Sequence, residues 1–255
     1  PPKFQGKIVM ITGGSGTIGF AIAEAFSKLG AQTVLVDKDE TTLKKAITKL
    51  GHGHGYFPID VTEADAANQA MLAAIQKFGG LDILVSNAGA AHAGPMLSIS
   101  NDELRNAFEL NFFSHYSFST EAAKILKNQN RGGQILFNIS KQAVNPGKNF
   151  GAYGLPKATT FFLMRQLALE LGSDGIRVNG VNADRIRSGL LTDDFISSRA
   201  KSRGVSESEY MAGNLLGKEV TAEHVADAFT SLACAESTTG HVMTVDGGNV
   251  EASLR

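Results

Sequence analysis

The chain has 255 residues, of which 43% are hydrophobic and 19% charged, so it holds ample apolar material for a buried core and does not resemble a disordered polypeptide. Its 24 basic and 25 acidic residues leave a formal charge of −1, which offers no broad basic field to nucleic acid or to an anionic membrane, and the expected partner is a small molecule. A single cysteine, Cys234, rules out an intramolecular disulfide, no apolar run approaches the ~20 residues that span a bilayer, and Pro1-Pro2-Lys3-Phe4 lacks the features of a signal peptide; the expectation is a cytoplasmic protein without membrane association. The absence of an initiating Met points to a trimmed chain or to a piece of a longer polypeptide.

Val- and Ile-rich runs alternate with helical patterns along the chain, as in a parallel sheet buried on both faces. Strands are predicted at Lys7 to Thr12, Thr33 to Asp37, Gly55 to Ile59, Leu81 to Ser86, Gln134 to Asn138, Ile176 to Val181 and Val242 to Val245. Helices are predicted at Ile18 to Leu29, Thr41 to Leu50, Glu63 to Phe78, Asp102 to Lys127, Ala158 to Leu171 and Ala222 to Ala235. The expected fold is α/β: a single-domain, doubly wound, Rossmann-like sheet of seven parallel strands, with right-handed crossovers placing helices on both faces. No repeat or Pro- or Ser-rich linker divides the chain, and the one irregular zone, Asp184 to Lys218, has the character of a substrate lid.

The first strand runs into Thr12-Gly13-Gly14-Ser15-Gly16-Thr17-Ile18-Gly19 and then into a helix, the context of a dinucleotide-binding turn. Gly13 and Gly16 let the backbone approach a pyrophosphate, and free N–H groups at the helix start favour its charge. Asp37 lies 18 positions beyond Gly19, close to the spacing at which a carboxylate receives the adenosine ribose hydroxyls, which favours NAD over NADP. Lys38 could partly offset the repulsion of a 2′-phosphate, and the alternative role for Asp37 or Asp39 is to cap the next helix.

Later in the chain, Tyr153-Gly154-Leu155-Pro156-Lys157 places a lysine one helical turn after a tyrosine. An unperturbed phenol, with a pKa of ~10, is a poor base near neutrality, and an adjacent ammonium can favour the phenolate. Pro156 is tolerable if the helix begins near Ala152, so that the missing N–H falls in the first turn. In their order, Thr12 to Gly19, Asp60-Val61, Asn87-Ala88-Gly89, Asn111, Ser140, Tyr153 with Lys157, Arg177-Val178-Asn179 and Val245-Asp246-Gly247-Gly248 make the chain resemble the short-chain dehydrogenase/reductase superfamily along nearly its whole length.

That resemblance implies a nicotinamide-dependent oxidoreductase with Tyr153 as general acid/base, Lys157 holding the nicotinamide ribose, Ser140 binding the substrate oxygen and Asn111 holding a relay water. It further implies cofactor contacts from Gly13, Ser15, Gly16, Thr17, Ile18, Gly19, Asp37, Asp60, Val61, Asn87, Ala88, Gly89, Ile186 and Ser188. No metal is implied, and a homotetramer or homodimer is.

Two stretches depart from the family pattern. Gly16 comes one place early, a spacing that resembles the extended branch of epimerases and dehydratases, although this chain has little room for their larger C-terminal domain. The usual Pro-Gly pair after the sixth strand is replaced by Ala183-Asp184-Arg185-Ile186-Arg187-Ser188. Gln142, Arg185 and Arg187 are the candidate substrate contacts, and the two arginines of the altered loop could read a polar or anionic substrate or else be solvated or pair with Asp193 and Asp194.

Asn182 to Leu190, Gly204-Val205-Ser206-Glu207 and the ending Thr239 to Arg255 are similar to the dehydrogenase portion of bifunctional aldolase/short-chain dehydrogenase proteins. This implies a fused N-terminal aldolase-like domain and a sugar, polyol or hydroxy-carbonyl substrate. The alternatives are a redox-inactive nucleotide-binding or scaffold protein, which needs no acid/base relay, and a redox-neutral epimerase or dehydratase.

Overall fold

In the computed structural model the chain runs β1 (Ile8–Thr12), α1 (Thr17–Lys28), β2 (Gln32–Asp37), α2 (Glu40–Leu50), β3 (Gly55–Pro58), α3 (Ala66–Phe78), β4 (Ile83–Ser86), α4 (Asn101–Phe108), α5 (Ser114–Gln129), β5 (Gly133–Asn138), α6 (Gly151–Leu171), β6 (Ile176–Ala183), α7 (Asp193–Arg203), α8 (Glu207–Met211), α9 (Ala222–Cys234) and β7 (Val242–Val245). The structure describes residues 3–249; Pro1, Pro2 and the last part of the ending that carries the narrower resemblance, 250–255, lie outside the described residues.

The seven strands form one sheet in the order β3-β2-β1-β4-β5-β6-β7, every neighbouring pair parallel, and the fold is the expected Rossmann-like doubly wound one. Strand order reverses between β1 and β4, and in such sheets that switch point opens a crevice at the carboxyl ends of the strands.

The sheet is buried on both faces because successive side chains of a strand point to opposite sides. Along β1, Ile8 and Met10 join one core with Phe118 and Met164, whereas Val9 and Ile11 join the other with Ile22, Phe26 and Phe229. Each helix carries one apolar stripe to its face: α3, α5 and α6 on the first side, α1, α2 and α9 on the second.

Several elements differ from expectation. The helix expected from Glu63 starts at Ala66, because Asp60 folds the preceding residues into a turn, its Oδ1 accepting from the N–H and hydroxyl of Thr62 at 2.9 and 2.7 Å. The single long helix expected from Asp102 to Lys127 is divided by a π-helical turn over Glu109–Phe113, which widens the helix at Asn111. The helix carrying Tyr153 begins at Gly151, so Pro156 sits in its second turn, not the first, and the carbonyl of Ala152 loses its intrahelical partner. Residues 184–218 are not irregular throughout: α7 and α8 pack around a small core of Leu191, Ile196, Ala200, Tyr210 and Met211.

Candidate active site

The glycine-rich turn at the end of β1 is held by contacts that leave no room for side chains at Gly13 and Gly19. A Cβ on Gly19 would stand 2.1 Å from the Gly13 carbonyl oxygen, and Gly13 itself has φ +64° with the Ala88 backbone 3.0 Å from where its Cβ would be. Gly16, the residue before α1, has only the Gly13 oxygen within 4 Å of its imagined Cβ, at 3.4 Å, and it lines the cleft with Thr17 and Ile18. The first turn of α1 carries no acidic residue and no side-chain cap, so its amide dipoles are left for an anion. A dinucleotide diphosphate fits this cradle.

The two aspartates near the end of β2 divide their tasks. Asp39 caps α2, accepting from the Thr42 N–H at 3.1 Å, while Asp37 turns to the glycine-rich loop and accepts from the N–H and hydroxyl of Ser15 at 3.3 and 2.8 Å. Asp37 and Lys38 both line the cleft, but Ser15, expected there, is outside its lining and acts as the donor that orients Asp37.

Beneath the cleft a hydrogen-bonded chain crosses the carboxyl ends of three strands. Thr12 Oγ1 accepts from the N–H groups of Asn87 and Ala88 at 2.9 and 3.1 Å, and Asn87 donates from Nδ2 to the Thr12 carbonyl at 3.0 Å. Asn138 Nδ2 donates to Asn87 Oδ1 at 2.8 Å, and the Asn138 carbonyl accepts from Lys157 Nζ at 3.0 Å. Thr12 and Asn138 were not among the expected site residues, since their partners lie 50 or more positions away in several of these bonds.

Asn111 exchanges two hydrogen bonds with the backbone of Ala90, at 2.9 and 3.3 Å, and so clamps the loop after β4. Its Nδ2 also reaches the Ala107 carbonyl at 3.2 Å, and its own carbonyl accepts from Thr160 Oγ1 at 2.7 Å; Asn111 is buried behind the cleft and does not line it. Gly89 makes room here: a Cβ would be 2.9 Å from Asn111 Oδ1 and 3.5 Å from Lys157 Nζ.

Ser140 follows β5 and Tyr153 lies in the first turn of α6, with the serine hydroxyl near enough to the phenol to favour its ionised form. Lys157 Nζ stands 5.6 Å from the Tyr153 ring centroid. Burial pushes the Tyr153 phenol up to about 12, the Ser140 hydroxyl opposing it, and burial brings the Lys157 ammonium down to about 8. Burial therefore works against the depression of the phenol that the sequence spacing suggests.

Behind Lys157 lies His115, unanticipated from sequence, with Nδ1 2.6 Å from Ser86 Oγ. Burial, and then the positive charge of Lys157, hold its pKa well below that of an ordinary imidazole.

Expected positions Gly13, Gly16, Thr17, Ile18, Gly19, Asp37, Asp60, Val61, Asn87, Ala88, Gly89, Ser140, Gln142, Tyr153, Lys157, Arg185, Ile186 and Ser188 all line one cleft of about 610 Å3. Arg187 does not. Its guanidinium is held by Glu219 at 2.6 Å and Asp193 at 2.9 Å, so the pairing alternative describes it and the substrate role does not. Arg185 has φ +52°, lies 4.5 Å from the Tyr210 ring centroid and donates to the Tyr210 carbonyl at 2.6 Å, tying the end of β6 to α8. Two further arginines on α7, Arg199 and Arg203, line the cleft instead.

The loop that replaces Pro-Gly is braced by a second network. The Lys141 ammonium, next to Ser140, pairs with Asp246 at 2.6 Å and donates to the Asn249 carbonyl at 3.3 Å, while Asn249 Nδ2 donates to Asp184 at 2.6 Å. Among the described residues no cluster of His, Cys, Asp or Glu could hold a metal ion, and no helix is long and apolar enough to cross a membrane.

Comparison with known proteins adds relatives to this geometry. A family model described as enoyl-(acyl carrier protein) reductase matches residues 13–249. The uncharacterized oxidoreductase YuxG of Bacillus subtilis (strain 168) is 33% identical over all of this chain, which spans 39% of that protein's length. (+)-Borneol dehydrogenase 1 of Salvia officinalis is 30% identical, with 96% of this chain and 94% of that protein covered. The crystal structure of 3-ketoacyl-(acyl-carrier-protein) reductase from Brucella melitensis complexed with NADH superposes with a TM-score of 0.88 at 26% identity, over 97% of this chain and 99% of that one.

Proposed function

The chain belongs to the short-chain dehydrogenase/reductase superfamily of oxidoreductases, and from that premise we propose that it transfers a hydride between NAD and a secondary alcohol or carbonyl of a sugar, polyol or hydroxy-carbonyl compound. The observation that carries this reading is the convergence of Ser140, Tyr153 and Lys157, with the ammonium 5.6 Å from the Tyr153 ring centroid, in the cleft that also contains the glycine-rich cradle.

Bound nicotinamide supplies or accepts the hydride. The chain's own residues do the rest. Gly13, Gly16 and the N–H groups opening α1 hold the diphosphate, and Asp37, with Ser15 donating to one oxygen, accepts the adenosine ribose hydroxyls and disfavours a 2′-phosphate. Ser140 donates to the substrate oxygen and keeps it against the Tyr153 hydroxyl. With its pKa raised, Tyr153 stays protonated near neutrality and is ready to donate a proton to the oxygen as a carbonyl is reduced. In the oxidising direction the same hydroxyl must first lose its proton, so that rate rises with pH. Lys157, pinned to the Asn138 carbonyl and brought down to about 8 by burial, carries positive charge beside the protonated phenol near neutrality and loses it as the pH rises. The segment 184–218 acts as the lid over the substrate.

The test is Tyr153→Phe, which should bind NADH as the parent does while losing about 100-fold or more of its turnover on any active alcohol. Undiminished turnover would remove Tyr153 from the mechanism. Asp37→Ser should narrow the preference for NADH over NADPH in the same binding assay, and an unchanged ratio would remove Asp37 from cofactor choice.

A further inference from the structure

Beyond Tyr153 the cleft continues under α7, and the charges there are unbalanced. Arg199 and Arg203 are four residues apart, one helical turn, and both line the cleft. The Arg199 guanidinium lies 5.7 Å from the ring centroid of Phe150, the residue that precedes α6 and whose carbonyl accepts from the Tyr153 N–H at 3.1 Å. Arg203 lies 5.4 Å from the ring centroid of Tyr210. Among the described residues neither has a carboxylate partner within ion-pair distance, and the buried Nε of Arg199 has no hydrogen-bond acceptor.

The neighbouring charges are accounted for. Arg187 is taken by Glu219 and Asp193, and the lining carboxylate Asp184 is engaged by Asn249 and stands 3.8 Å from Arg185. A half-buried guanidinium with an unused N–H beside the catalytic helix is a costly arrangement unless something anionic completes it.

We propose that Arg199, assisted by Arg203, binds an oxyanion on the substrate, a carboxylate or a phosphate, so that the molecule oxidised or reduced is an acidic hydroxy or keto compound. This rests on the hydride-transfer reading and narrows its substrate class from neutral polyols to acids or phosphate esters. The planar guanidinium presents paired N–H donors that match two oxygens of either group, and the cation–π contact with Phe150 holds it beside that ring.

Isothermal calorimetry on the NAD-saturated protein tests it with two matched sets: sorbitol, gluconate and sorbitol 6-phosphate, then glycerol, glycerate and glycerol 3-phosphate. The expected result is that at least one anion of a set binds about tenfold or more tightly than its neutral member, and that Arg199→Met abolishes the difference. Whether the carboxylate or the phosphate member is preferred identifies the group. Arg199→Lys, which keeps the charge but loses the fork, should retain part of the preference. Arg203→Met, at an exposed position, should lower it without disturbing the fold and serves if Arg199→Met does not fold. Equal binding of neutral and anionic members in both sets, or an anion preference that survives loss of both arginines, would overturn the proposal. Calorimetry reads binding without turnover, so a failure of the Tyr153→Phe test would leave this result standing on its own.

Discussion

The ion pair between Lys141 and Asp246 offers a quantitative test of how the substrate end of the cleft is braced. The two side chains are 6% and 10% exposed and their charged atoms lie 2.6 Å apart. Burial alone would raise the Asp246 carboxyl, but the Lys141 ammonium and the Gly248 N–H hold it below the ordinary value. Changing Asp246 to Leu leaves a buried ammonium with only the Asn249 carbonyl at 3.3 Å, and changing Lys141 to Met leaves a buried carboxylate. Removing one partner of such a pair costs about 3–5 kcal/mol, because the survivor is left uncompensated and not because the pair is worth that much. At ~2–4 °C per kcal/mol for a domain of this size, each single variant should melt about 10 °C lower. The double variant Lys141→Met/Asp246→Leu should recover most of the loss, since an apolar replacement of both charges is nearly neutral. Urea denaturation of the parent, both singles and the double measures the cycle. Single variants within about 1 kcal/mol of the parent, or a double variant whose loss is the sum of the singles, would refute the reasoning and make the pair equivalent to a surface contact.

The bonds beneath the cleft make a second prediction: Thr12→Val orphans the N–H groups of Asn87 and Ala88 and should cost about 2–4 kcal/mol in urea denaturation, whereas Thr12→Ser should restore most of it; equal behaviour of the two would show that the hydroxyl is not the acceptor that matters. His115, whose folded pKa lies below its unfolded value, binds fewer protons folded than unfolded as the pH falls through about 6.5, so it removes stability on acidification. His115→Leu should weaken the protein at pH 7.5 through loss of the Ser86 bond, yet lose about 1 kcal/mol less than the parent between pH 6.5 and 5.5. Parallel melting curves against pH for the two proteins would exclude this role.

The sheet is legible in the sequence because its cause is local. Each strand is a short apolar run bounded by turn residues, and β1 can be buried on both faces only if both its odd and even positions are apolar, as Ile8 to Ile11 are. The β1–α1 turn is legible for a similar reason, since a glycine at position 19 answers a contact made six residues earlier, at the Gly13 carbonyl. Tyr153 and Lys157 can be paired from their spacing because one helical turn separates them.

What the sequence does not contain is the allocation of partners. Four arginines fall between 185 and 203, and nothing in their order says that Glu219, 32 residues on, takes Arg187 while Arg199 and Arg203 are left to the cleft. The phenol and ammonium meet as the spacing implies, but the direction of the Tyr153 shift depends on how much water the surrounding elements exclude, which is a property of the packed structure. The composition, periodicity and glycine turn thus determine a doubly wound nucleotide-binding fold with a tyrosine and a lysine on one helix face. Only the tertiary structure decides which charges remain uncompensated around them, because charge pairing and desolvation depend on distances between segments far apart in the chain.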